Sequence, residues 1–217
     1  MRLRNIKNAQ DIISHNKYVV SNPKEYRGKV QQLFKNNHKV EIEIGMGKGD
    51  FIINKAKQNP NINFIGIEKY ASVLVKTVKK LSDIELDNLK IMNIDANIID
   101  EVFDQEITKI YLNFSDPWPK KKHTNRRLTS PLFLDKYAKI FENDYVIEMK
   151  TDNRNLFEYS LVTLSQKNYL FEEIKLDLYA NLNDDNIQTE YERKFVNLGM
   201  PIYKLIAHYK NCQKKVK

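Results

Sequence analysis

The sequence reads as an α/β protein: a doubly wound, mostly parallel, seven-stranded sheet with an antiparallel strand at one edge. Two observations carry that reading. Five short apolar runs alternate with longer stretches whose apolar residues recur every three or four positions. A glycine-rich turn, "GMGKG" (45–49), directly follows the first run, where sheets of this kind bind ligands. A chain of 217 residues is long enough for one substantial core.

Residues 1–38 come before the first strand. Through residue 39 the chain carries nine Lys or Arg against Asp11 and Glu25, and it reads as a basic arm with a short helix. Residues 39–217 read as a single domain. Its strands are "VEIEIG" (40–45), "NFIGIE" (63–68), "LKIMNID" (89–95), "KIYLNFSD" (109–116) and "DYVIEMKTD" (144–152). Phe51, Ile52, Lys55 and Ala56, then Val73, Leu74, Thr77, Val78 and Leu81, have helical spacing between them. Strands alternating with helices imply right-handed βαβ crossovers. A last helix spans about 153–167. "FEEIKLDLY" and "IYKLIAHYK" then form an antiparallel pair at the far edge, joined by a polar loop, "NLNDDNIQTEYERKFVNLG", without a helix.

Composition narrows the function. No apolar run approaches the roughly 20 residues a membrane helix needs, so no membrane partner is expected. The basic start lacks the apolar core of an export signal. One cysteine, Cys212, allows no internal disulfide, and a cytoplasmic setting fits. A net charge of +8 favours partners bearing phosphate, and residues 119–127 concentrate five cations without an acid.

Gly45 and Gly47 permit the tight turn and close backbone approach a nucleotide-like ligand requires. No Walker A pattern can be drawn here. The dinucleotide fingerprint fails at its third glycine, which is Asp50, and an acid there repels a pyrophosphate. A nicotinamide dehydrogenase therefore explains the turn and Glu68 but not Asp50. S-adenosylmethionine, an adenosine ligand with a cationic sulfonium and no phosphate, suits the acids that end successive strands. Glu43 is placed for its methionine portion, Glu68 for the ribose hydroxyls and Asp95 for the adenine edge.

The fourth strand leads into Ser115-Asp116-Pro117-Trp118-Pro119, a turn stiffened by two prolines. Asp116 is also the residue type that commonly forms turns before proline. Beside a methyl donor, an acid and a flat ring make a nucleobase pocket: the acid accepts from base N–H groups and the ring stacks. The run "PKKKHTNRR" that follows suits a sugar–phosphate backbone. A non-catalytic RNA-binding protein explains that charge but leaves Asp116 and the glycine turn idle. His123 has no neighbour at metal spacing, and no metal is assigned. Asp152 and Asn153 stand where one of them caps the next helix. In "TEYERKF", Thr189 and Glu190 offer acceptors and Tyr191 a stacking surface.

"EIGMGKG", "FIGIE", "NIDA", "YLNFSDPWPKKKHTNRRL", "KTDN" and "TEYERKF" occur in the order found in bacterial tRNA (guanine-N7-)-methyltransferases. The sequence resembles that family from about Met1 to Tyr209. The resemblance implies a class I methyltransferase (Rossmann-like) fold and S-adenosylmethionine as methyl donor, leaving S-adenosylhomocysteine. It also implies tRNA as substrate, methylated at N7 of the variable-loop guanine at position 46, by a monomer or homodimer. Carried onto this sequence, it makes Glu43, Glu68, Asp95 and Asp116 cofactor contacts, with Asp116 also catalytic. It places Lys120, Asp152, Thr189, Glu190, Tyr191 and Glu192 at the substrate. Lys121, Lys122, His123, Thr124, Asn125, Arg126 and Arg127 would meet the RNA.

Overall fold

The computed structural model describes residues 6–180 and 186–209, so Cys212 lies outside the described residues. Seven strands form one sheet: β1 (Val40–Ile44), β2 (Asn63–Ile67), β3 (Leu89–Met92), β4 (Ile107–Asn113), β5 (Phe141–Thr151), β6 (Leu170–Lys175) and β7 (Tyr203–Tyr209). Their order is β3-β2-β1-β4-β5-β7-β6. The first five are parallel, and β7 lies antiparallel between β5 and the edge strand β6. The order reverses between β1 and β4, so the crevice outside their carboxyl ends is where a ligand binds in such sheets.

Helices cover both faces. α1 (Ala9–Ser14), α2 (Asp50–Gln58) and α3 (Ala71–Lys80) contribute Ile13, Phe51, Ile52, Leu74 and Val78 to one apolar layer. α4 (Ile99–Val102), α5 (Pro131–Ile140) and α6 (Arg154–Gln166) contribute Val102, Phe133, Tyr137, Leu156 and Leu164 to the other. Val40, Ile42 and Ile44 of β1 belong to this second layer. Strand alternation therefore turns Glu41 and Glu43 toward the α2 side.

The N-terminal segment carries its short helix, and its apolar residues are built into the domain. Ile13, Tyr18, Val20, Val30 and Phe34 are buried. Residues 18–20 lie along β3: Val20 N donates to Ile91 O at 2.9 Å, and Ile91 N to Tyr18 O at 2.8 Å. Glu106 accepts from the backbone N–H groups of Gly28 and Val30.

One expectation is corrected. A helix, α7 (Glu190–Asn197), stands where the sequence suggests only a polar loop. Four charged residues among its first five dilute any apolar period. The helix instead begins on a capping box, with Glu192 N donating to Thr189 Oγ1 at 2.9 Å and Thr189 N to Glu192 Oε2 at 3.2 Å.

Candidate active site

The turn after β1 keeps Gly45 and Gly47 at φ 79° and 56°, conformations that side chains with a Cβ rarely adopt. Gly45 and Met46 both donate to Ile67 O, and Gly47 N donates to Glu68 Oε2 at 3.1 Å. The Met46 side chain lies against Gly66 of β2, where any Cβ would collide with its sulfur. A bulky residue in the glycine turn is thus accommodated by a missing one on the next strand.

A cavity of about 1370 Å³ opens beside this turn. It brings together Glu43, Gly45, Gly47, Thr189, Glu190 and Tyr191, so β1, the turn and α7 face the same space. Glu43 is 2% exposed. Its Oε1 accepts from Asn113 Nδ2 at 2.9 Å, whereas its Oε2 has no hydrogen-bond partner. Burial pushes the Glu43 carboxyl up to about 8, opposed by the Asn113 hydrogen bond and the Lys150 ammonium. An orphaned carboxylate oxygen in a cavity wall lacks a cationic or N–H partner.

The other strand-end acids are not part of the cavity lining. Glu68 accepts from Gly47 N and from Tyr70 N, and burial raises its pKa against those bonds. Asp95 is also partly desolvated, but Lys69 at 2.6 Å and the Asn97 N–H outweigh that and lower its pKa. Asp116 is exposed and near enough to add its charge to Glu68. Tyr191 has its pKa raised first by burial, then by Asp152 and Asp116, so the charge of both acids reaches this phenol. The Tyr191 ring also meets Phe114, with centroids 5.2 Å apart. Asp152 is half-buried, with its own pKa raised by burial. Asn153 is the residue that caps α6, accepting from Leu156 N at 2.9 Å.

The Asp116 turn is strained and clamped. Phe114 and Trp118 hold φ of 51° and 41°, sparsely populated for aromatic residues. Arg127 donates to Pro117 O at 3.0 Å and Trp118 O at 3.2 Å, and its guanidinium lies 4.3 Å from the Tyr159 ring centroid. Arg126 covers Trp118 at 4.9 Å, and His123 meets the same ring edge-on. Lys120, Lys121, Lys122 and Asn125 are exposed, and Thr124 is half-buried. None of the five cations in the run makes an ion pair among the described residues. Arg127 nonetheless differs from the lysines, because its donors are already committed to the turn.

Glu192 does not line the cavity with Thr189, Glu190 and Tyr191. It is fully buried, with Oε2 2.7 Å from Lys150 Nζ and Oε1 accepting from Tyr179 and Asn186. Three further residues of the site escape a reading of local pattern. Asn113 orients Glu43, Lys150 holds Glu192, and Lys48 pairs with Glu190 at 2.5 Å. The only local signal for the first two is a polar residue inside an apolar strand.

The family model described as "Putative methyltransferase" matches residues 37–205. Relatives named tRNA (guanine-N(7)-)-methyltransferase include one from Lachnoclostridium phytofermentans, 46% identical over 95% of this chain and 98% of the relative. Another, from Bacillus subtilis, is 48% identical over 94% of this chain and 97% of the relative. The chain belongs to the tRNA (guanine-N7-)-methyltransferase family.

Solved structures extend the fold of this methyltransferase to distant sequences. The 16S rRNA methyltransferase KamB superposes with a TM-score of 0.65 at 12% identity, over 84% of this chain and 93% of that one. A 16S rRNA (adenine(1408)-N(1))-methyltransferase from Catenulisporales acidiphilia, solved with its cosubstrate SAM, gives 0.62 at 12% identity, over 89% and 94% of the two chains. Both show the methyltransferase fold alone. A donor whose zwitterionic amino-acid end carries an ammonium fits the orphaned Glu43 oxygen and the open space beside Gly45 and Gly47.

Proposed function

We propose that this methyltransferase transfers a methyl group from S-adenosylmethionine to N7 of the variable-loop guanine of tRNA, in the cytoplasm. The observation that carries the reading is the near-full-length match to enzymes of that name. Glu43, Gly45, Gly47, Glu68 and Asp95 hold the donor, with the unpartnered Glu43 oxygen taking its ammonium. When bound, the donor supplies an activated methyl sulfonium.

The chain's residues are then left with orientation and charge. Guanine N7 has a free lone pair and no hydrogen, so no residue has to act as a base. Asp116, whose charge reaches Tyr191, accepts from the N–H edge of the guanine and offsets the positive charge that develops on it. Asp152, whose charge also reaches Tyr191, bounds the base from a second strand. Thr189, Glu190 and Tyr191 complete the pocket from α7, and Lys120 stands at its rim. Lys121 to Arg126 contact the sugar–phosphate backbone, with Arg127 holding the turn from behind.

The test incubates the protein with labelled S-adenosylmethionine and a tRNA transcript and maps the modified base. Label should appear at the variable-loop guanine and vanish when that guanine is replaced by adenine. Undiminished labelling of the adenine transcript would refute the assigned position.

A further inference from the structure

Lys150 is an ammonium in the core. It lies at the carboxyl end of β5, two residues before Asp152, and is 1% exposed. Three acceptors surround it: Glu192 Oε2 at 2.7 Å, Ile187 O at 2.9 Å and Asn186 Oδ1 at 3.2 Å. All three belong to α7 or the segment leading into it. Its remaining side faces the Phe51 ring at 5.3 Å, and its charge acts on Glu43. Glu192, in turn, closes the capping box that starts α7.

A buried ion pair is a poor source of stability, because desolvating two charges costs about as much as their attraction returns. Such a pair is better at fixing one arrangement, since any other leaves a charge stranded. Here the fixed object is α7. Glu192 stands only three positions after Thr189, so the carboxylate that Lys150 holds belongs to the same helical turn as the cavity residues Thr189, Glu190 and Tyr191.

We propose that Lys150 is a positioning residue for methyl transfer: through Glu192 it fixes the first turn of α7, and so sets Thr189, Glu190 and Tyr191 against the base held near Asp116 and Asp152. The inference rests on the tRNA methyltransferase reading. It also gives Glu192 a different role from its neighbours, as the internal anchor of a motif whose other three residues face the cavity.

The test uses the full-length protein, S-adenosylhomocysteine and a tRNA transcript. Lys150→Met keeps most of the volume but strands the Glu192 carboxylate, so it is measured beside Lys150→Met/Glu192→Gln, which leaves no charge behind and retains an acceptor for the cap. The double variant should melt near the wild-type temperature and bind S-adenosylhomocysteine within about threefold. Its kcat/KM for tRNA should fall about 30-fold or more, mostly in kcat, in keeping with the ~100-fold that a ~1 Å misplacement can cost. Wild-type turnover in a folded double variant would overturn the proposal. So would an equal loss of S-adenosylhomocysteine affinity and turnover, which would mark a general structural defect. If neither variant folds, hydrogen exchange on the wild-type protein decides. Amides 194–197 must be protected comparably to those of β5, and exchange at the rate of an open loop would refute the anchor. Failure of the wild-type protein itself to bind S-adenosylhomocysteine or methylate tRNA would strike the parent reading instead.

Discussion

Asn113 at the end of β4 donates to Glu43 near the end of β1, at 2.9 Å, across the point where the strand order reverses. The bond leaves Glu43 with one satisfied oxygen and one orphan. A buried acid in that state resists ionisation until a cation arrives, which makes ligand binding and proton release a linked event.

Cofactor binding should therefore depend on pH. Folded Glu43 is raised to about 8 from an ordinary value of 4.5, so its stabilising contribution is full below 4.5 and lost as pH rises through about 8. The ligand's ammonium, set against the carboxyl, favours the ionised form, so affinity for S-adenosylhomocysteine should climb as pH rises from 6 toward about 8, with a proton released on binding. Titration calorimetry in buffers of different ionisation enthalpy measures that proton. In Glu43→Gln the Glu43-dependent part of the release should vanish, and an unchanged release would exclude Glu43 as its source.

Asp116→Asn should fold normally, because the side chain is exposed. Its kcat should nevertheless drop about 100-fold, the scale of removing one preorganised electrostatic contact in a transition state. Single-turnover methylation at saturating donor reads this directly, and near-normal turnover would remove Asp116 from the chemistry.

The basic run should divide into two behaviours. Lys121→Ala and Lys122→Ala should weaken tRNA binding and each flatten its log–log salt dependence by about 1. Arg127→Lys keeps the charge but loses the planar donors that reach Pro117 O and Trp118 O. Its salt slope should hold while kcat falls severalfold. A loss confined to tRNA affinity would make Arg127 an ordinary phosphate contact.

Thr189→Ala removes the side-chain half of the α7 capping box and should cost about 1 kcal/mol of stability. Thr189→Ser should restore most of it, since the hydroxyl is what accepts Glu192 N. Denaturant unfolding separates the two variants, and equal losses would show that the methyl, not the cap, matters.

Much of this molecule is legible in local pattern. Residues 40–44, 63–67 and 89–92 are strands because runs of Val, Ile, Phe and Leu must be covered on both faces, and the helices with apolar residues three and four apart cover them. Gly45 and Gly47 mark the turn, since few other residues accept its positive φ. The acids at strand ends fall near the crevice because the strand period and the parallel order leave them no other end of the sheet. α7 was hidden by its charge, although its capping box stands in the sequence as Thr189-Glu-Tyr-Glu192.

The sequence by itself thus determined the element order, the glycine turn and the series of acids, because each follows from backbone preference and periodicity over a few residues. Tertiary structure alone decided which carboxylates are free. Glu192 is consumed by Lys150 from 42 residues away, Glu190 by Lys48 from 142, and Glu43 is half satisfied by Asn113 from 70. Arg127, one cation among five in the sequence, became a clamp only where the chain folded back on Pro117 and Trp118. The physical reason is the same in each case: a charge is defined by its desolvation and its partner, and both are supplied by residues remote along the chain.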